Sequence, residues 1–124
     1  WSEAAQYPLA LLTPEMHNRT IIDSAFVTVG MPVKPAIETN AVLTLALSVA
    51  TGEVCSVMPG ALVGAVRGYR ELEALPLTAP DVRTPIGFMT ASVQPSRALE
   101  AALVLAQDSD WLHCAAVNSG LLGA

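Results

Sequence analysis

At 124 residues the chain is long enough for one ordinary domain and short for two. It is 52% hydrophobic and only 14% charged, with a mean hydropathy of +0.49, which excludes a disordered tail. A net charge of −5 with six scattered basic residues excludes a nucleic-acid contact surface within the chain, and no apolar run approaches the roughly 18 residues of a membrane span.

So apolar a chain either buries a large core or leaves a face for a partner. It begins at Trp1, with no Met and no basic leader before an apolar run, and reads as a piece of something longer. Cys55 and Cys114 are the two cysteines, and such low usage fits a reducing cytoplasm. Cys55 lies among valines and reads as a small buried hydrophobe.

Pro8 opens "PLALLT", a short apolar run suited to a strand buried on both faces of a parallel sheet. In "EMHNRTIIDSAFVTVG", Ile21, Ile22, Ala25, Phe26 and Val29 recur at helical spacing, and Gly30 is the expected stop. "VKPAIET" is a second strand, which Pro35 delays or places at an edge. Asn40 is the expected N-cap of "AVLTLALSVAT", which Gly52 ends. "EVCSVM" is a third strand, stopped by Pro59 and Gly60, and "ALVGAV" a short third helix. No charge falls between Glu38 and Glu53, so this stretch is expected to be buried on both faces.

Strand–helix alternation predicts an α/β fold: a mainly parallel sheet flanked by helices. Right-handed crossovers would gather the strand C-termini on one edge, where ligands bind in open sheets of this kind. That edge would carry Thr13 and Pro14, Thr39 and Asn40, and Pro59 and Gly60. Beyond Gly68 the rhythm changes: "ELEALPLT" and "PDVRTPIGFMTAS" are strand candidates. Pro95 and Ser96 then lead a helix, "SRALEAALVLAQ", with Leu99, Ala102, Leu103 and Ala106 as its apolar stripe. The tail 108–124 extends that helix or frays.

Catalytic constellations are missing from this pattern. There is no G-x-S-x-G elbow around Ser56 or Ser119, no G-x-G-x-x-G and no phosphate loop. Cys55 has no evident base, and neither His17 nor His113 stands at metal-ligand spacing. His17 reads as a surface residue early in its helix. Arg19 and Arg67 read as surface partners of nearby acids, a pairing worth little. The binding candidates are therefore polar strand ends. A helix N-terminus after Thr39 and Asn40 offers free N–H groups to an anion. The Thr13 hydroxyl could donate to a ligand oxygen, against a simple turn before Pro14.

The order of these motifs resembles the effector-binding domain of LysR-type transcriptional regulators, from Tyr7 to about Gln107. The family's apolar strand, following Arg and Gly-ended helix match "YPLALLTPEMHNRTIIDSAFVTVG". Its acidic strand end, pocket helix and glycine-bearing strand before a Pro match "ETNAVLTLALSVATGEVCSVMPGAL", with Glu53 where a second glycine is common. "LEALPL", "DVRTPIGFM" and "QPSRALEAAL" complete the series.

The resemblance implies the second subdomain of a type 2 periplasmic-binding-protein-like fold in residues 1–68. Returning strands and helix toward the first subdomain would occupy 69–107, and 108–124 would be a C-terminal tail. It implies an effector sensor, not an enzyme, with no cofactor and no metal. Thr13, Thr39, Asn40, Pro59 and Gly60 would face a small, anionic metabolite, the last two through the Pro-Gly turn that walls the family's pocket. DNA would be contacted only through a missing N-terminal domain. Core surface left open by the missing parts would favour self-association or swapping of the C-terminal segment. Three other readings stay open: a lobe of a periplasmic solute-binding protein, a fragment of an α/β enzyme, and an oligomerisation module without a pocket.

Overall fold

The computed structural model describes residues 1–66, 71–84, 89–91 and 96–110. A 3-10 turn at Ala4–Gln6 leads into β1 (Leu9–Leu12). Then follow α1 (His17–Thr28), β2 (Ile37–Thr39), α2 (Val42–Ala50), β3 (Cys55–Ser56), α3 (Gly60–Val66) and α4 (Arg97–Asp108). The three strands form one sheet in the order β2-β1-β3, and both pairings are parallel. The α/β class with a parallel sheet between helices is therefore as expected from the alternation.

β1 is the centre of the molecule, and all four of its residues are buried. Successive side chains of a strand point to opposite faces. Leu9 and Leu11 accordingly pack with Ile22 and Phe26 of α1, while Ala10 and Leu12 pack with Leu45 of α2. Trp1 closes the first cluster: its ring meets Phe26 edge-on at 5.1 Å and 86°. The indole N–H of Trp1 also donates to the Pro80 carbonyl at 2.9 Å, tying the segment around residue 80 to the N-terminus.

Helix stops follow the glycines. Gly30 and Gly52 have φ of +74° and +79°, a left-handed conformation that costs other residues energy. Past α1, Gly30 N–H donates to Val27 and Met31 N–H to Phe26, closing the last turn. At α4 the Ser96 hydroxyl accepts from the Leu99 N–H at 3.2 Å, as the Pro-Ser start predicts. Pro35 does delay β2, which pairs only from Ile37 and lies at an edge of the sheet.

Several expectations fail. The uncharged stretch is not buried on both faces: α2 turns Leu45 and Ala46 inward and leaves Leu43 57% and Leu47 51% exposed. The helix lies on one side of the sheet, so only one stripe is covered. "ELEALPLT" is no strand, because residues 72–78 run without ladder partners among the described residues. Cys55 is exposed rather than buried, because it opens a two-residue strand at the edge of the sheet. Ala102 faces out on α4, where Leu99, Leu103 and Ala106 are half-buried and no residue is fully buried. Of "PDVRTPIGFMTAS", residues 81–84 and 89–91 form no strand, while 85–88 lie outside the described residues, as do His113 and Cys114. His17 is exposed at the start of α1, as read.

Candidate functional site

Parallel pairing puts the C-terminal ends of the strands on one edge, and the register says which residues meet there. Leu12 pairs with Thr39, and Thr13 N–H then donates to the Thr39 carbonyl at 3.0 Å. Thr13 and the Thr39–Asn40 turn are thus brought together. On the other side Ala10 pairs with Ser56. Three residues further along each segment stand Thr13 and Pro59. The Pro59 carbonyl accepts from Leu62 N–H at 2.9 Å and so begins α3, whose first residue is Gly60. Pro59 and Gly60 therefore shape the turn into a helix, as the Pro-Gly pair predicts.

The start of α2 differs from expectation. Its N-cap is Ala41, not Asn40, and no side chain caps it. The Thr39 hydroxyl accepts from the Ala41 N–H at 3.2 Å, a turn that closes the strand and delays the helix by one residue. Asn40 is left exposed. The first N–H groups of a helix have no acceptor within it. Among the described residues no side chain caps them, so the N-terminus of α2 presents its donors and the positive end of its dipole.

Two hydroxyls near this edge are buried without a partner among the described residues, Thr13 Oγ1 and Ser56 Oγ. A buried hydroxyl left unpaired is costly, and most find a partner. Sequence reading missed Ser56 in this role, because "EVCSVM" reads as a plain apolar strand.

Arg19 is the largest departure. Instead of pairing at the surface, its side chain is only 7% exposed. One guanidinium nitrogen donates to the Leu12 carbonyl at 2.7 Å and to Glu38 Oε1 at 2.6 Å, while Nε donates to Asp23 Oδ1 at 2.8 Å. Burial works against the charged form, but the bonds to Glu38 and Asp23, with their charges, outweigh it and hold the guanidinium above its ordinary pKa. Its spacing after "PLALLT" was visible; its burial was not, because the helix face it occupies carries Asp23 as well as Ile22 and Phe26.

Two grooves lie away from this edge. One, of about 330 Å³, runs between α1 and the segment at Pro80 and Val82, lined also by Thr20, Ser24 and Thr28. The Ser24 and Thr28 hydroxyls are turned back onto the carbonyls of Thr20 and Ser24 at 2.8 Å. The other, of about 400 Å³, is bounded by Pro76, Leu77, Thr78 and Asp81. None of the five predicted site residues lines either groove.

Residues 1–110 match the family described as LysR substrate binding domain. The chain belongs to that family. The match spans the segment that the motifs picked out and carries the type 2 periplasmic-binding-protein-like class with it. Members of the LysR family are transcriptional regulators that sense effectors, and the resemblance read from the motifs is thereby borne out. No curated protein and no solved structure matches the chain. Among the described residues no helix of this LysR domain is long and apolar enough to cross a membrane.

Proposed function

We propose that this LysR domain senses a small anionic metabolite at the strand-end edge, with Thr13, Thr39, Asn40, Pro59 and Gly60 as contacts. The observation that carries the reading is the Thr13 hydroxyl, buried without a partner among the described residues, on a residue whose backbone N–H donates to the Thr39 carbonyl in the turn that opens the uncapped α2. A carboxylate at that edge would accept from the Thr13 hydroxyl and from free N–H groups of α2. Asn40, exposed, supplies an adaptable amide, and the turn at Pro59 and Gly60 a wall.

Residues 1–68 then form the core of one effector subdomain, 69–107 lead back toward the other, and 108–124 form a tail. The effector acts by binding one arrangement of the two subdomains better than another. Self-associated chains pass that difference to DNA-binding parts outside this sequence, in the cytoplasm. The chain itself catalyses nothing.

The test is Thr13→Val in the regulator that carries this domain. Valine keeps the shape and removes the unpaired hydroxyl, so stability should stay level or rise slightly. A panel of small carboxylates should raise the melting temperature of the wild-type protein. At a hundred times Kd the expected stabilisation is about 2.7 kcal/mol. Thr13→Val should bind the same compound at least about tenfold more weakly, the value of one charge-assisted hydrogen bond. A panel that leaves the wild-type protein unstabilised, or a Thr13→Val variant that binds normally, refutes the site.

A further inference from the structure

Arg19 is the one charged side chain among the described residues that is buried, and it sits behind the proposed site rather than in it. Its three bonds reach three different pieces of the fold. The Leu12 carbonyl is the last of β1, one residue before Thr13. Glu38 lies in β2, one residue before Thr39. Asp23 is one turn further along α1 and holds the guanidinium on the helix that carries it.

We propose that Arg19 is the positioning residue of the strand-end site, a role that rests on the effector reading above. It does two things. By gripping the last carbonyl of β1 and the side chain of β2 together, it fixes the spacing across which Thr13 N–H meets the Thr39 carbonyl. The turn that delivers Ala41 N–H to the Thr39 hydroxyl inherits that spacing. It also occupies the charge of Glu38. That carboxylate is 43% exposed and stands next to the residues that would receive an anion. Unpaired, it would repel the ligand; paired with Arg19, it presents a hydrogen-bonded and neutralised face. The edge therefore takes an anion because its only nearby acid in β2 is already engaged from below.

Two measurements on Arg19→Gln, Arg19→Lys and Arg19→Gln/Glu38→Gln test this. Amide hydrogen exchange reads position. In Arg19→Gln, the Thr13 and Ala41 amides should exchange about tenfold faster. The amides of Ala36 and Cys55, bonded to the Leu9 and Pro8 carbonyls at the opposite end of the sheet, should change little. Titration with succinate and benzoate reads charge. Arg19→Gln should weaken binding about fivefold to tenfold, the effect of one uncompensated charge close to a surface. Adding Glu38→Gln should restore most of the loss, and more completely at low salt than at high. Arg19→Lys, which keeps the charge and can reach one partner, should fall between and serves if Arg19→Gln does not fold.

A general scaffold role for Arg19 predicts uniform acceleration of exchange, with the double variant no better than the single one; either result overturns the proposal. If the wild-type protein binds neither probe, the anion reading fails on its own. The exchange pattern at Thr13 and Ala41 then still decides whether Arg19 positions this edge.

Discussion

Phe26→Ala removes the largest fully buried side chain and tests the packing that holds β1 against α1. Phe26 is fully buried with Leu9, Leu11 and Ile22, and Trp1 meets its ring edge-on. Truncating a buried Phe costs about 3–5 kcal/mol in lost transfer energy and residual cavity. Loss of the aromatic pair adds about 0.5–1.5 kcal/mol. Trp1 is itself only half-buried and can settle into the space, so a total near 4 kcal/mol is expected. For 124 residues the unfolding entropy is about 0.26 kcal/mol/K, which makes the expected fall in melting temperature about 15 °C. Thermal unfolding by circular dichroism measures it. Trp1→Ala and the double variant complete a cycle that isolates the ring pair. A loss under about 1 kcal/mol for Phe26→Ala would refute this account of the core, since no fully buried Phe is removed so cheaply from a close-packed interior.

Gly30→Ala should cost about 1 kcal/mol, or roughly 4 °C, through backbone strain alone, because an added Cβ at Gly30 meets nothing within 4 Å; a neutral result in thermal unfolding would contradict the left-handed stop. Ser96→Ala should loosen the first turn of α4 by about 1 kcal/mol, seen as about fivefold faster exchange of the Leu99 amide. Because α4 buries no residue fully, the same change should leave the melting temperature almost unmoved. The raised pKa of Arg19 fixes the sign of a pH test. A group held above its unfolded value contributes its full stability below that value and loses it only as pH climbs through the folded one. The gap in melting temperature between wild type and Arg19→Gln, about 2 kcal/mol in stability, should therefore stay constant from about pH 7 to about pH 10. A gap that closes within that window would show that the guanidinium is not held as described.

What the sequence made legible was whatever local chemistry decides. "LALL", the strand within "PLALLT", has no polar residue that could face water, so its burial on two faces follows from composition alone. Gly30, Gly52 and Ser96 act within a turn of themselves, and each does what its type predicts. The errors share a different cause: they needed knowledge of a neighbour. Whether Leu43 and Leu47 are covered depends on what lies across α2, and their own hydrophobicity carries no word of it. Asn40 is the better N-cap in isolation, but Thr39 captures the Ala41 N–H first and moves the helix start. Arg19 looked like a surface charge because Asp23, one turn along, suffices to explain an exposed arginine. Its burial depends on Glu38, nineteen residues later, and on a carbonyl that no sequence pattern displays.

The same distinction bears on where a ligand belongs in this LysR domain. The groove along α1 has volume but, Thr20 aside, little left to offer a polar guest. Ser24 and Thr28 spend their hydroxyl protons on their own helix, and Ala25, Ile21, Pro80 and Val82 are apolar. The strand-end edge is the reverse. Among the described residues its donors are without partners, from the Thr13 hydroxyl to the uncapped first turn of α2, while the one acid in β2 beside them is held by Arg19. Space can be made by moving two subdomains together; directed hydrogen-bond donors cannot. On the proposed reading, an effector recognised by its chemistry and then closed over would be held at the edge, where the donors stand before closure, rather than in the groove.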